Sequence, residues 1–417
     1  ASVVAETDFF SQDHQLIFQT MRSLSAESKP LDVITLSETL QNTNKLEQVG
    51  GAAYLVELAN NTPSSANIGA YAQIVLERSI IRQLINAASD IVKKGYNPLG
   101  WDSSKLLAEA EQKLSDIIEN RPKQGGFQGV NELIKEAIGR IDELFNSDAD
   151  ITGLSTSFSE LDSMTSGWQQ SDLIIVAGRP SMGKTSLAMN MVEHAVLHQE
   201  KPVLVFSMEM PANQLIMRMM SSIGKIDQTK MRSGNLSEDD WPRLSSAASR
   251  LKDRPLYIDD TPGITPMELR NRVRQLTREH GETGLIMVDY LQLMSGSVPT
   301  ENRTNEITQI SRELKNIARE FNCPVIALSQ LSRNLESRPN KRPINSDLRE
   351  SGAIEQDADV IVFIYRDEVY NEESTDKGTA EIIIGKQRNG PIGTCHLAFL
   401  GKYTRFENLA RDYFADE

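Results

Sequence analysis

The chain has 417 residues and a formal net charge of −14, which allows two or three domains and argues against a general nucleic-acid coat, although a local basic groove stays open. Hydrophobic residues make up 39% of the sequence, and no apolar run approaches the roughly 18 residues that span a bilayer, so we expect no membrane partner. Its two cysteines, Cys323 and Cys395, give no disulfide framework; Cys323 is predicted to be a buried thiol in a cytoplasmic protein.

Residues 1–120 are predicted to form an all-helical N-terminal domain. Apolar residues recur at helical spacing, once between Ile74 and Val92 and again between Leu106 and Ile118. Helix breakers at 61–63 and 95–98 separate the predicted helices. The sequence of this domain shows no catalytic constellation.

Residues 121–150 are predicted to be a linker that carries one amphipathic helix at 131–146. Segment 121–129 is rich in glycine and polar residues, as flexible linkers are. The helix has a single apolar stripe, formed by Leu133, Ile134, Ala137, Ile138, Ile141, Leu144 and Phe145. The stripe packs either on its own domain or on a neighbouring subunit, and the spacing does not choose between the two.

From residue 151 to residue 417, short apolar runs alternate with helical stretches. The expected strands lie at 173–177, 203–206, 256–258, 285–288, 325–328, 360–364 and 382–384. The expected helices lie at about 184–198, 211–223, 266–280 and 303–321. This alternation predicts an α/β domain with a mostly parallel sheet and crossover helices on its faces.

The most specific signal is residues 178–185, GRPSMGKT, which match the P-loop pattern G-x-x-x-x-G-K-[ST] between a predicted strand and a predicted helix. A plain glycine turn is the alternative. Backbone N–H groups and the helix N-terminus there favour phosphate. Lys184 is predicted to reach the phosphates of ATP, and Thr185 to bind Mg²⁺. The predicted nucleotide-binding residues are Gly178, Ser181, Met182, Gly183, Lys184, Thr185, Ser186 and Asp289.

Two carboxylates are predicted beside this loop. Asp289 ends the apolar run 285–288, which carries it to the sheet edge beside the P-loop, and it is predicted to hold Mg²⁺ with Thr185. An Asp at a strand end is also a common turn residue. Glu209 follows the run 203–206 and is the predicted carboxylate that activates the attacking water. It also suits a helix N-terminus before Pro211, and both roles are compatible.

Gln330 closes the run that begins at residue 325 and is predicted to sense the γ-phosphate by hydrogen bonding, unless it is an ordinary polar strand end. The segment 333–349 follows it. This segment holds five basic residues, Arg333, Arg338, Lys341, Arg342 and Arg349, and two acidic ones. Charge alone indicates a solvated surface loop, whereas its position after Gln330 indicates a relay that reports loss of the γ-phosphate.

Residues 385–391, GKQRNGP, contain the Asn-Gly pair that is typical of a hairpin turn, between predicted strands at 380–384 and 395–400. Lys386 and Arg388 are predicted to lie near the hairpin tip. They form either a solvated charged turn or an arginine finger for a neighbour's nucleotide, which requires an oligomer. His194 and His198 stand four residues apart on a predicted helix, but without a third ligand they are not predicted to bind metal.

These blocks together resemble the bacterial replicative DNA helicase family, DnaB. The resemblance is carried by DLIIVAGRPSMGKT at 172–185, FSMEM at 206–210, LIMVDYLQL at 285–293, ALSQ at 327–330, SDLRESGAIEQDAD at 346–359 and GKQRNGP at 385–391. VGGAAYL at 49–55 and NTPS at 61–64 extend it to the N-terminal part. It covers nearly the whole chain, and its combination of motifs is specific.

The resemblance implies a RecA-like ATPase domain at 151–417, a helical collar at 1–120 that recruits primase, and a linker helix that packs on the adjacent subunit. It implies a ring of six subunits, placed by a helicase loader, that moves 5′ to 3′ on single-stranded DNA with ATP and Mg²⁺. By match, Lys184 and Thr185 are the P-loop pair, Glu209 the catalytic base, Asp289 the metal-side carboxylate and Gln330 the γ-phosphate sensor.

Three further implications concern the ring. Arg388 resembles an arginine finger that acts on the neighbouring subunit, with Lys386 as its companion. Arg349, Glu350 and Gly352 match a loop that contacts the DNA backbone, and one such loop per subunit around a ring binds phosphate despite the acidic net charge. The chain starts at ASVVAE, and we expect the family's opening helix to be missing, which affects the collar and its primase contacts rather than the motor.

Two other functions stay open. A RecA-like recombinase shares the P-loop core, although the linker, the helical N-terminal domain and Arg388 speak against it. An ATP-gated scaffold on single-stranded DNA binds nucleotide with little turnover, and such a protein has no need of Glu209.

Overall fold

The computed structural model describes residues 4–27, 29–61, 68–97, 102–119, 130–131, 133–135, 138–139, 142, 151–296, 303–348 and 352–409. Two compact units divide the chain, Ala1–Glu136 and Ala137–Glu417. The division falls inside the predicted linker, whose boundaries at 120 and 150 stay predictions.

The described helices of the first unit are α1 (Gln12–Ala26), α2 (Val33–Asn42), α3 (Gly51–Asn60), α4 (Ile68–Tyr96) and α5 (Ser103–Glu119). Asp32 begins α2 as its N-cap and accepts a hydrogen bond from the Thr35 N–H at 2.7 Å. The buried core of this unit is small and consists of Ile17, Leu24, Leu36, Leu40, Val49 and Leu55. The all-helical fold predicted for the N-terminal domain is confirmed.

The apolar stripe predicted on α4 lies mostly on its surface. Of the residues that define the stripe, those with at least two fifths of their surface exposed are Ile74, Ile81, Leu84, Ile85 and Val92. An exposed apolar stripe of this length is typical of a helix that packs against another chain. The helical spacing therefore predicted the helix correctly, but it did not show that the described residues leave this face exposed.

The predicted linker helix lies largely outside the described residues. Residues 130, 131, 133–135, 138, 139 and 142 are described, and all of them are helical. Leu133, Ile134 and Ile138 of its stripe are exposed. The surface against which the stripe packs stays a prediction.

The second unit is built on strands β1 (Leu173–Gly178), β2 (Val203–Ser207), β3 (Leu256–Asp259), β4 (Leu285–Asp289), β5 (Val325–Gln330), β6 (Val360–Tyr365), β7 (Thr379–Gln387), β8 (Gly393–Leu400) and β9 (Arg405–Asn408). They form one sheet in the order β3-β2-β4-β5-β1-β6-β7-β8-β9. The first six of these pair in parallel, and β7, β8 and β9 extend the sheet antiparallel. The mostly parallel sheet is confirmed.

Helices cover both faces of this sheet: α6 (Ser159–Thr165), α7 (Lys184–His198), α8 (Ala212–Gly224), α9 (Gln228–Ser233), α10 (Asp240–Leu251), α11 (Pro266–His280), α12 (Arg303–Phe321) and α13 (Gly352–Asp357). Alternate residues of β1 enter different cores, with Ile174 and Val176 on one face and Ile175 and Ala177 on the other. The first core includes α7 residues, and the second includes α11 and α12 residues. This is the layered α/β arrangement of a RecA-like domain, as predicted.

Local sequence explains where the crossover helices start. At α11, Thr265 Oγ1 accepts from the Glu268 N–H at 3.2 Å, Glu268 Oε2 accepts from the Thr265 N–H at 2.8 Å, and Pro266 occupies the first turn. The helix predicted at 211 begins instead at Ala212, with Pro211 as its cap. No described helix is long and apolar enough to cross a membrane. Cys323 is buried, as predicted, and burial raises its pKa to about 12.

Candidate active site

The P-loop spans residues 178–185 between β1 and α7. Gly183 caps α7 with a φ of 97°, and a Cβ there would meet the Phe406 ring at 3.0 Å, so glycine alone fits. Ser181 also has a positive φ, 69°, which costs a non-glycine residue energy. Met182 and Ser186 are buried beside them. The loop therefore leads into the N-terminus of α7, and a helix N-terminus favours an anion.

Lys184 lies across the mouth of this loop. Its Nζ donates to the backbone oxygen of Gly178 at 2.8 Å. Burial lowers the pKa of Lys184, while the negative charges of Asp289 and Glu209 oppose that change. The ammonium group is thus a partly desolvated cation, and such a cation interacts more strongly with a phosphate oxygen than one in bulk water.

Thr185 and Asp289 meet at the carboxyl edge of the sheet, where Thr185 Oγ1 donates to Asp289 Oδ2 at 3.0 Å. Asp289 is 1% exposed. Burial raises its pKa to about 6, the Thr185 hydrogen bond opposes that rise, and the charge of Glu209 adds to it. A hydroxyl and a carboxylate fit Mg²⁺, which binds through a few protein oxygens together with phosphate. No described group of three His, Cys, Asp or Glu side chains could hold a metal ion, so phosphate oxygens would complete such a site.

Glu209 stands in the turn after β2 and is exposed. The turn is tied to β4 because the Met208 N–H donates to the Asp289 backbone oxygen at 2.9 Å. It is closed by Ser207, whose Oγ donates to the Met210 backbone oxygen at 2.8 Å. The first N–H of α8 is bound by Asp260 rather than by Glu209. Glu209 therefore lies close enough to Asp289 for its charge to raise the pKa of that carboxyl, and the helix-capping role, which the sequence also allowed for Glu209, belongs to Asp260.

Gln330 ends β5 directly beside the P-loop, since its Cα pairs with that of Gly178. A second glutamine, Gln292, holds this strand end in place. Its Oε1 accepts from the Gln330 N–H at 3.3 Å, and its Nε2 donates to Ser329 Oγ at 3.0 Å. Sequence reasoning missed Gln292, although it lies three residues after Asp289 and so follows the same strand.

Arg218 on α8 is another group that sequence reasoning missed. Burial lowers its pKa, whereas Asp289 and Glu209 raise it, so its guanidinium lies within electrostatic reach of both carboxylates. Its Nε is buried without a hydrogen-bond partner among the described residues. Arg218 therefore adds a second cation to the P-loop edge of the sheet, and an oxyanion bound there would complete its hydrogen bonding.

Lys386, near the end of β7, and Arg388, just after it, lie near the hairpin turn as predicted, and their side chains turn back toward residues 356–359. The β7–β8 pairing ends at Ile384, but the chain continues along β6, where Lys386 pairs with Ile361. Lys386 Nζ donates to the backbone oxygen of Ala358 at 2.6 Å. Arg388 donates to the backbone oxygen of Gln356 at 2.7 Å and forms an ion pair with Asp359 at 3.2 Å. Both cations lie where β6 begins, at the sheet edge opposite the P-loop.

Comparison with known proteins is consistent with this geometry. The model of the DnaB-like helicase C terminal domain matches residues 153–408, and that of the DnaB-like helicase N terminal domain matches residues 1–77. The chain belongs to the DnaB-like helicase family.

Relatives in this family match almost the full chain. Replicative DNA helicase DnaB of Buchnera aphidicola subsp. Baizongia pistaciae is 51% identical over 99% of this chain and 90% of its own length. That of Pasteurella multocida is 54% identical over 97% and 87%. A solved DnaB-like replicative helicase, studied with its interactions with primase, is similar at a TM-score of 0.78 and 35% identity, covering 98% of this chain and 94% of its own. A separately solved ATPase domain reaches a TM-score of 0.65 at 39% identity, covering 68% of this chain and 100% of its own.

Two of the three residues that match the DnaB DNA loop, Arg349 and Glu350, lie outside the described residues. Gly352 is described and begins α13. The described part of the segment before them, 333–348, is mostly exposed, as charge alone indicated, but two of its arginines form ion pairs. Arg338 forms an ion pair with Asp347 at 2.6 Å, and Arg342 forms one with Glu381 at 2.6 Å, so these basic side chains are bound within the unit.

His194 and His198 stack on α7 with their ring centroids 4.2 Å apart. His198 Nδ1 lies 2.9 Å from the His194 backbone oxygen, as in an ordinary contact between successive helical turns. Burial lowers the pKa of His194, and the charge of His198 lowers it further. The pair behaves as two helix residues in contact.

Asp172 lies at the edge opposite the P-loop, and its raised pKa predicts how stability depends on pH. Burial raises its pKa to about 6, and the negative charge of Asp359 adds to the rise. The folded chain therefore binds a proton that the unfolded chain releases between about pH 4 and pH 6, so stability falls as pH rises through that window. Because Asp172 is only half-buried, we expect Asp172→Asn to stabilise the chain at pH 8 by about 1 kcal/mol, or roughly 2–4 °C in melting temperature.

Thermal melts of wild-type and Asp172→Asn protein between pH 4 and pH 8 measure this effect. The variant should lose less stability than wild-type as pH rises. The exposed Glu200→Gln removes one negative charge elsewhere and should leave the melting curve unchanged. Equal melting temperatures of wild-type and Asp172→Asn protein at pH 8 would show that the ionised Asp172 carboxylate does not destabilise the folded chain.

Proposed function

We propose that this chain is a replicative DNA helicase that couples ATP hydrolysis to 5′ to 3′ movement on single-stranded DNA and to unwinding of the duplex. One observation carries the proposal. The P-loop edge of the sheet holds Lys184, Thr185, Asp289 and Glu209, while the cations Lys386 and Arg388 lie at the opposite edge. Each subunit thus carries two complementary halves of a nucleotide site.

At the P-loop half, we assign a separate task to each side chain. The loop amides and Lys184 bind the β- and γ-phosphates of ATP. Thr185 and Asp289 would hold Mg²⁺, which neutralises charge on the phosphates when it is bound. Glu209 orients the water that attacks the γ-phosphorus and takes its proton, while ADP leaves on the other side. Gln330, beside Gly178, is placed to report whether the γ-phosphate is present.

The opposite half completes the site only between subunits. Within one chain the sheet separates Arg388 from the P-loop, so Arg388 cannot stabilise the transferring phosphate of its own subunit. Head-to-tail contacts, repeated until they close, bring the two different edges together and generate a ring. We infer a ring of six subunits, and the exposed stripe of α4 supports a second contact between chains in the N-terminal collar.

DNA is proposed to contact the loop around Arg349, Glu350 and Gly352. The support is the position of α13, which Gly352 begins and in which the Gln356 backbone oxygen accepts from both Lys386 and Arg388. The loop thus connects to the half-site that meets a neighbour's nucleotide. Backbone amides and one arginine per subunit bind phosphate without reading base sequence.

Primase and a helicase loader are proposed partners. The solved relative that matches both units was studied with primase, and the helical N-terminal unit of this chain supplies the corresponding domain. The collar is proposed to recruit primase, and a loader to place the ring on DNA.

Steady-state hydrolysis of ATP with Mg²⁺, measured with and without single-stranded DNA, tests the proposed function. A translocating helicase hydrolyses ATP faster when DNA occupies its ring. A scaffold gated by ATP would bind nucleotide and show little turnover with or without DNA. That result would replace the helicase proposal.

A further inference from the structure

The side chain of Arg179, the second residue of the P-loop, points into the segment that follows Gln330. It is 8% exposed. Its Nη1 donates to the Leu331 backbone oxygen at 2.9 Å, and its Nε donates to Glu336 Oε1 at 2.8 Å. A buried guanidinium costs free energy unless such partners satisfy it. The side chain of Arg179 therefore binds the segment after β5 and makes its hydrogen bonds there.

Leu331 is held by the P-loop through two bonds. In addition to the Arg179 contact, its N–H donates to the Gly178 backbone oxygen at 3.4 Å. Leu331 directly follows Gln330, whose Cα pairs with that of Gly178. A shift of the P-loop on nucleotide binding would thus move the residue after the sensor, and a shift of that residue would move the sensor.

Hydrogen bonds also join the start of this segment, at Ser332, to its end, at Asp347. The Ser332 N–H donates to the Asp347 backbone oxygen at 2.9 Å. The Asp347 carboxylate, which is 6% exposed, accepts from Arg338 at 2.6 Å and from the Ile344 N–H at 2.9 Å. Asp347 stands two residues before Arg349, where DNA is proposed to bind. A short, hydrogen-bonded path therefore runs from the proposed DNA loop through Asp347 and Ser332 to Arg179.

We propose that the Arg179–Glu336 ion pair is a positioning pair that couples DNA in the ring to the γ-phosphate site. It holds the start of the sensor segment against the P-loop, so that movement of Asp347 on DNA binding reaches Gln330 instead of being absorbed by the intervening chain. This role rests on the proposed helicase function. It assigns neither residue a contact with ATP or with DNA.

Glu336 is the residue to change, because it lies outside the P-loop and its side chain is 46% exposed. Glu336→Gln keeps a hydrogen-bond acceptor without the charge, and Glu336→Ala removes both. The matched control is Glu381→Gln, which breaks the ion pair of Arg342 from the same segment to β7 and leaves the Arg179–Glu336 pair intact. ATP hydrolysis is measured for each protein as kcat and KM, alone and with saturating oligo-dT, and DNA binding is measured by anisotropy.

Without DNA, we expect all three variants to keep kcat and the KM for ATP within about twofold of wild-type. The factor by which oligo-dT raises kcat should fall roughly fivefold or more in the two Glu336 variants, more in Ala than in Gln, and stay near wild-type in the control. Oligo-dT should still bind to the Glu336 variants.

Other outcomes would overturn the inference. Full DNA stimulation in Glu336→Ala would show that the ion pair transmits nothing. A loss of kcat without DNA as large as the loss with DNA would give the pair a purely structural role in the P-loop. A wild-type protein that hydrolyses ATP at the same rate with and without DNA would instead overturn the proposed function, and the coupling role with it.

Discussion

Replacing Glu209 by Gln is expected to leave ATP binding near wild-type and to slow hydrolysis by about 10²–10⁴-fold. The amide matches the carboxylate in size, so the turn between Ser207 and Met210 should persist. It cannot accept a proton from the attacking water at neutral pH. Glu209 also lies close enough to affect the pKa of Asp289 and Lys184, so its loss changes the charge at the site of reaction.

The affinity for a fluorescent ATP analogue measures whether ATP binding is kept, and steady-state phosphate release measures how far hydrolysis is slowed. Asp260→Asn is the matched control, because Asp260 holds the first N–H of α8. If Glu209 acted only through that helix, the Asp260 variant would lose activity to the same degree. Undiminished hydrolysis by Glu209→Gln would remove Glu209 from the mechanism.

Arg388→Ala is expected to slow hydrolysis by about 10³-fold or more, because an arginine finger supplies much of the charge stabilisation in phosphoryl transfer. The residue lies at the edge opposite the P-loop, so its defect should belong to the neighbour's site. Lys184→Ala should also be inactive, with the defect in its own P-loop. Rings assembled from equal amounts of the two variants should regain activity, since about one interface in four joins an intact P-loop to an intact Arg388.

The rate of ATP hydrolysis after unfolding, mixing and reassembly of the two variants measures this recovery. The control mixes Lys184→Ala with Glu209→Gln, whose defects share one half-site, and no intact site can form in that mixture. Recovery in the first mixture alone supports action between subunits. An inactive first mixture, with rings shown to contain both variants, would contradict the trans role of Arg388.

The sequence was sufficient where a side chain and its partner follow a regular pattern. Apolar runs predicted the first seven strands, and the P-loop motif located Lys184 and Thr185. Because parallel strands carry their ends to a common edge, Asp289 could be placed beside Thr185 before the contact at 3.0 Å was known. Short or polar elements gave no such pattern. β9 has four residues with only Phe406 buried, and α9 has six residues with none buried.

Contacts between elements distant in sequence could not be predicted. The Asn-Gly pair predicted the hairpin and the position of Lys386 near its turn correctly, but it did not show that the Lys386 side chain donates back to the backbone of α13. Arg218 and Gln292 carry no motif of their own, and only folding brings them to the P-loop edge. The side chain of Arg179 is part of the motif by position, yet its direction toward Glu336 depends on the path of a segment more than 150 residues later.

Strand displacement from forked DNA tests the central claim most directly, namely that hydrolysis at this site drives movement along one strand. Forks with a 5′ or a 3′ single-stranded tail are incubated with the protein and Mg²⁺, with either ATP or a non-hydrolysable analogue. We predict displacement only with ATP and only from the fork with a 5′ tail. Displacement with the analogue, or preference for the 3′ tail, would contradict this account.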